Sequence, residues 1–228
     1  MTGAGRMRAR WFRLPVLAAA YVLAAAAACD GSSTPTSPSP APMPAPAPSP
    51  APPSPPPPPP VVTFEPGQHR IGSDIDAGRY YADPAAGCYW ARQSEFGGTP
   101  AETIAFQFID FDAAQWVVDI SPSDRGFTAR APCGTWFSTP RHPMQASIPP
   151  GVWVVGAQVA PGLYQTSASP GCHWERLRHF TGEPDGVLAQ DLLGSAGPQF
   201  VNIAAGDAGF RSDAACGTWT PVQTTTRQ

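Results

Sequence analysis

Lysine is absent from the 228 residues, so all 14 basic side chains are arginines. That excludes Schiff-base chemistry and any catalytic lysine. Charge of either sign is scarce, at 14% of the chain. No C-x-x-C pair occurs, and His69, His142, His173 and His179 form neither H-x-x-x-H nor H-E-x-x-H. G-x-S-x-G, a Walker loop and a dinucleotide fingerprint are missing too, which removes the familiar sequence routes to zinc, a serine nucleophile and a nucleotide. Asp110 and Asp112 share a strand face, but Gly194 and Ala196 stand at the matching positions downstream and no glycine-bounded acidic loop surrounds them; a calcium site is not expected. The expectation is a non-enzymatic chain with no catalytic residue, no cofactor and no metal. The longest apolar run, Leu14 to Ala28, has 15 residues, short of the roughly 20 that span a bilayer as a helix.

That run follows Arg6, Arg8, Arg10 and Arg13 and ends in alanines before Cys29. A charged start, a short apolar stretch and small residues before a cleavage point describe an export signal over 1–28. Two cleavages compete: an ordinary A-x-A cut, or a cut before Cys29 followed by its acylation. Ala26-Ala27-Ala28-Cys29 resembles the bacterial lipoprotein signal, departing from it where Ala26 replaces the usual Leu. Without the signal, 10 arginines face 17 acids, a net charge of −7, which argues against a nucleic-acid partner. Residues 29–60 then form a linker in which 16 of the 30 residues from Gly31 to Pro60 are proline. Proline fixes φ and lacks an N–H, so this segment reads as a disordered, polyproline-like spacer.

Self-similarity organises the rest. At an offset of 84, Gly72 falls on Gly156, Gly78 on Gly162, Tyr80 on Tyr164, Cys88 on Cys172, Trp90 on Trp174, Arg92 on Arg176, Phe96 on Phe180 and Pro100 on Pro184. After one deletion, Gly126-Phe127 falls on Gly209-Phe210 and Cys133-Gly134-Thr135-Trp136 on Cys216-Gly217-Thr218-Trp219. Aromatic and branched segments such as Arg79–Ala82, Phe106–Ile109 and Trp116–Ile120 alternate with turn residues. Each copy reads as about six strands, with repeat 1 over 61–140, repeat 2 over 146–222 and a disordered tail over 223–228. Strand parity puts Cys88 with Trp90 and Phe127 with Cys133 on one core-facing side, and likewise in repeat 2. Bridges Cys88–Cys133 and Cys172–Cys216 follow; crossed pairing between copies is the alternative, disfavoured by the near-equal spacing. Cys29 is then the odd cysteine, and lipidation accounts for it.

The pattern G-x-D-I-x-x-G-x-Y, G-C-x-W-x-R and C-G-T-W, whole from Gly72 to Tyr80 and altered at Gln158 and Val159, resembles a repeat of uncharacterised exported bacterial proteins and lipoproteins. The resemblance implies small β-sandwiches and transfers no functional residue. The fold class expected is all-β: two tandem, disulfide-closed β-sandwich domains behind a signal and a proline-rich linker.

Arg92 and Arg176 follow a core Trp by two positions. The plain reading is a structural guanidinium stacked on its Trp or paired with an acid; the sharper one is recognition of an anionic ligand. Trp136 and Trp219 are candidates for stacking on sugar rings, or else lids on the sandwich. Function is expected to be presentation of two domains, with avidity, to an envelope glycan or protein, on a membrane reached through the lipid on Cys29. An unrecognised envelope-polymer enzyme and a purely structural accessory subunit are the alternatives.

Overall fold

A computed structural model describes residues 60–223. The signal, Cys29, nearly all of the proline-rich linker and residues 224–228 of the tail lie outside the described residues. Among the described residues the fold is all-β, with strands joined by turns and four single 3-10 turns. Repeat 1 contains β1 (Thr63–Phe64), β2 (Gly67–Arg70), β3 (Gly78–Ala82), β4 (Cys88–Gln93), β5 (Thr103–Ile109), β6 (Trp116–Ile120), β7 (Gly126–Ala129) and β8 (Trp136–Phe137). Repeat 2 contains β9 (Gly151–Val154), β10 (Gly162–Ala168), β11 (His173–Leu177), β12 (Val187–Leu192), β13 (Gly197–Ile203), β14 (Gly209–Ser212) and β15 (Thr220–Pro221).

The two copies repeat one topology. In repeat 1 the sheets run β1-β8-β3-β6 and β2-β7-β4-β5; in repeat 2 they run β13-β10-β15 and β12-β11-β14-β9. The missing edge of the three-stranded sheet survives as a single bridge, Ile148 to Trp219, where repeat 1 pairs Phe64 with Trp136. Eight and seven strands replace the expected six. The additions include two-residue strands at the copy ends, too short to register as alternation. Where alternation is long it holds. On β10, Tyr164, Thr166 and Ala168 face inward while Leu163, Gln165 and Ser167 face solvent.

Both expected disulfides are present, Cys88–Cys133 and Cys172–Cys216. The second cysteine of each pair does not sit on a strand. The chain leaves β7 at Ala129, and Ala131–Cys133 closes a 3-10 turn; Ala214–Cys216 does the same in repeat 2. In the first copy Pro132 cannot donate to a ladder. In both, the glycine after the cysteine adopts φ near +66° (Gly134 67°, Gly217 65°), a conformation a Cβ disfavours. That glycine turns the chain back so that Trp136 or Trp219 enters the core from the next strand.

The copies are not two beads. Val152, Leu177 and Phe180 of repeat 2 belong to the same buried apolar cluster as Phe64, Trp90, Val118 and Phe127 of repeat 1. The outer face of β9, β11 and β14 lies over edge strand β6. Val152 N–H donates to the Gln115 carbonyl at 2.9 Å, and Asp119 N–H to the Phe180 carbonyl at 3.0 Å. Gln115 and Gln158, both buried, exchange amide hydrogen bonds of 2.9 and 2.7 Å. Gln158 therefore departs from the repeat motif because it belongs to the interface.

Candidate functional site

Arg92 and Arg176 occupy equivalent places, and each grips an aspartate that is also equivalent. Arg92 Nε and Nη2 donate to Asp124 at 2.7 and 2.9 Å; Arg176 Nε and Nη2 donate to Asp207 at 2.7 and 2.8 Å. Each aspartate also accepts from the backbone three residues earlier, Ser121 N–H or Ala204 N–H. The motif reading passed over Asp124 and Asp207, although they match at the same offset of 83 that aligns the C-G-T-W segments. Burial works against the charge of Arg92, but its bonds to Asp124 and Glu183 outweigh that and hold its pKa above the ordinary value. Planar two-bond pairing of this kind is what guanidinium geometry favours. The plain reading of Arg92 is the one the geometry supports. Its Nη1 also bonds the Thr181 carbonyl and Glu183 at 2.8 and 2.9 Å, so it ties repeat 1 to repeat 2.

Trp136 and Trp219 are each 0% exposed. Sugar stacking by either is therefore corrected: an enclosed ring has no face to offer. Each packs edge-on against the core phenylalanine of its copy, Phe127 or Phe210, at 5.5 Å. Their indole N–H groups, with those of Trp90 and Trp174, are buried without an acceptor among the described residues. Because both copies share the trait, it marks the fold and singles out no site. Asp112 caps the Ala86 N–H at 2.9 Å. Cys172, Cys216 and Asp213 cluster tightly, but both sulfurs are spent in the disulfide, so the group offers no thiolate.

What the residues do build is a cleft of about 310 Å³ at the junction of the copies. Trp90, Gln107 and Trp116 of repeat 1 line one side; Glu175, His179, Gln190 and Arg211 of repeat 2 line the other. Glu175 and Arg211 are cross-strand neighbours on β11 and β14, paired at 3.1 Å. Arg211 also lies 5.1 Å above the Trp116 ring, an arrangement attractive to a cation. The charged pair is peculiar to repeat 2: Ala91 and Thr128 hold the equivalent places in repeat 1. Gly182 closes one end against Trp90, where a Cβ would stand 2.7 Å from the indole Cη2. Volume and lining place this cleft at the small end of ligand pockets, which favour domain junctions. Comparing copies for shared residues could not reveal it, since its polar groups are the unshared ones.

A family model of the Rv1352-like extracellular domain matches residues 62–137 and again 144–220. No curated protein and no solved structure matches the chain.

Proposed function

Because the chain belongs to the Rv1352-like extracellular domain family in both of its copies, and is thereby an exported protein, we propose that it is a non-enzymatic envelope lipoprotein. In this reading one cleft between the copies binds a small polar ligand, a single sugar ring of an envelope glycan. The observation that carries the reading is the junction itself. Gln107, Gln190 and the Glu175–Arg211 pair line this cleft and suit the hydroxyls of a sugar, while Trp90 and Trp116, both buried, close its floor. The two copies then act as halves of one site, and the fused core replaces the expectation of two independent sites linked for avidity. Tethering through Cys29 is supported by its being the odd cysteine, since the other four are bridged. The proline-rich linker serves as a spacer above the membrane.

The test is a glycan array and calorimetry on residues 61–228. A monosaccharide-sized epitope should bind, and Gln107→Ala or Gln190→Ala should weaken it tenfold or more while the thermal midpoint stays within a few degrees. Binding that ignores both substitutions removes the cleft from the reading. Hydrolysis of the bound glycan removes the non-enzymatic part. Intact mass of the exported chain should show acylation at Cys29, and Cys29→Ser should release the protein from membranes.

A further inference from the structure

The contact between the copies is heterologous: different faces of two equivalent domains meet. Repeat 2 contributes the outer face of β9-β14-β11 and the loop carrying Phe180; repeat 1 contributes edge strand β6 and the neighbouring part of β3. Each copy therefore also owns the half of the contact it does not use. Repeat 1 keeps an unused outer face and loop, and repeat 2 keeps an unused edge.

Each leftover half carries large apolar side chains at solvent, Phe96 and Phe106 on one and Leu163 and Phe200 on the other. Phe180 is 3% exposed in the contact, while its equivalent Phe96 is 40% exposed, with only Arg70 stacked on it at 4.1 Å. On the same outer face, Phe106 is 60% exposed where repeat 2 has Gln190 lining the cleft. On the other half, Arg79 and Val117, the positions that cover Phe180 and line the cleft, are replaced by Leu163 and Phe200. These are 45% and 56% exposed. They lie on one face, since Leu163 pairs with Asn202 and Phe200 with Gln165 across β10 and β13. Strand β13 is a sheet edge, as β6 is, and among the described residues no strand pairs with its free side. Asn202, in the place of Asp119, keeps a carbonyl able to accept the loop N–H that Asp119 accepts from Phe180 at 3.2 Å. Gly98 and Trp174 are also present, repeating the Gly182-on-Trp90 contact pair.

We infer that the occupant of each leftover half is a second copy of this chain. The Phe96 loop and Phe106 of one molecule dock on Leu163, Phe200 and the β13 edge of the next, in the manner that repeat 2 docks on repeat 1. Continuity with the existing contact selects this occupant. The halves correspond to the two sides of one interface, each keeps large apolar side chains at solvent although Gln68 and Gln93 stand where repeat 2 has Val152 and Leu177, and an exposed apolar edge strand is a pairing template. Repetition of a heterologous contact gives head-to-tail chains or rings. Phe108 supplies an internal control. It is as exposed as Phe200, at 55%, but its equivalent, Leu192, is 69% exposed and outside the contact between copies. Exposure alone would implicate Phe108; the pseudo-symmetry does not.

Sedimentation velocity on residues 61–228 over a concentration series tests this. The wild type should associate below about 1 mM, the effective concentration a short tether imposes. Phe96→Glu and Phe200→Glu should each be monomeric, with unchanged circular dichroism, since both sites are solvent-facing. Mixed, they should form a dimer and nothing larger, because one retains the edge and the other the loop. Phe108→Glu should associate like the wild type. A monomeric wild type overturns the inference, as does a mixture that stays monomeric or an equal loss of association in Phe108→Glu. These readouts need no sugar, so they stand apart from the fate of the cleft.

Discussion

At the scale of single residues, equivalent side chains carry unequal loads. Arg92 is buried and three-way bonded, to Asp124 and across to Thr181 and Glu183. Arg176 makes the same aspartate pair with a quarter of its side chain exposed. Removing one partner from a buried pair leaves an uncompensated charge and costs about 3–5 kcal/mol, whereas an exposed pair contributes far less. The aspartates add a pH signature. Burial pushes the Asp207 carboxyl upward, but the bonds from Arg176 and the Ala204 N–H outweigh it and leave its pKa below the ordinary value. A carboxyl whose folded pKa is depressed stabilises the fold fully above its unfolded pKa, about 3.9, and loses that contribution as pH falls through the folded value. Asp213 has the opposite sign: burial dominates the N–H groups from His173, Cys216 and Ala215, and its pKa is raised. Its protonation therefore favours the folded state as the medium acidifies. Denaturant melts between pH 6 and pH 2 (about the range set by these groups) should show Asp207→Asn flattening the acid loss of stability. Asp213→Asn should steepen it. Identical pH slopes in wild type and Asp207→Asn would contradict the assignment.

At the scale of elements, each copy is a thin sandwich whose last crossing is made by a 3-10 turn, a glycine and a two-residue strand. Such short strands hold little ladder of their own. The disulfide fixes this corner, closing separations of 45 and 44 residues. Chain-entropy arguments give about 4 kcal/mol for each loop. The bridge also anchors the turn that inserts Trp136 or Trp219. Replacing Cys172 and Cys216 together by serine should lower unfolding free energy by about 4 kcal/mol and increase Trp219 accessibility, read as quenching of its fluorescence by iodide. A loss under 1 kcal/mol with unchanged quenching would mean that the ladder alone holds the corner.

At the scale of the whole molecule, the shared apolar cluster makes the copies one cooperative body. Repeat 1 expressed alone would uncover Trp90, Trp116 and Val117, which repeat 2 now shields. Calorimetry on residues 61–228 should give one transition with equal calorimetric and van't Hoff enthalpies, and residues 61–140 alone should melt lower or aggregate. Two separable transitions would show the interface to be adventitious. The junction cleft exists only where unlike faces of the copies meet, so neither copy forms it alone.

The sequence by itself determined the β class, the duplication, the pairing of all four domain cysteines and the inward face of β4. Those properties depend on local periodicity and on matching residues, and both are carried along the chain. Asp124 and Asp207 lay within the same alignment and were recoverable as the partners of Arg92 and Arg176. Only the tertiary structure decided that Trp136 and Trp219 are enclosed, that Arg92 bridges the copies, and that Gln115, Gln158, Glu175 and Arg211 form the junction and its cleft. The reason is that a heterologous contact uses each copy differently. Many of its residues, Gln115, Gln158, Glu175 and Arg211 among them, differ between the copies, and where a residue is shared, as Arg92 is with Arg176, the match does not tell which copy uses it until the two surfaces are brought together in space.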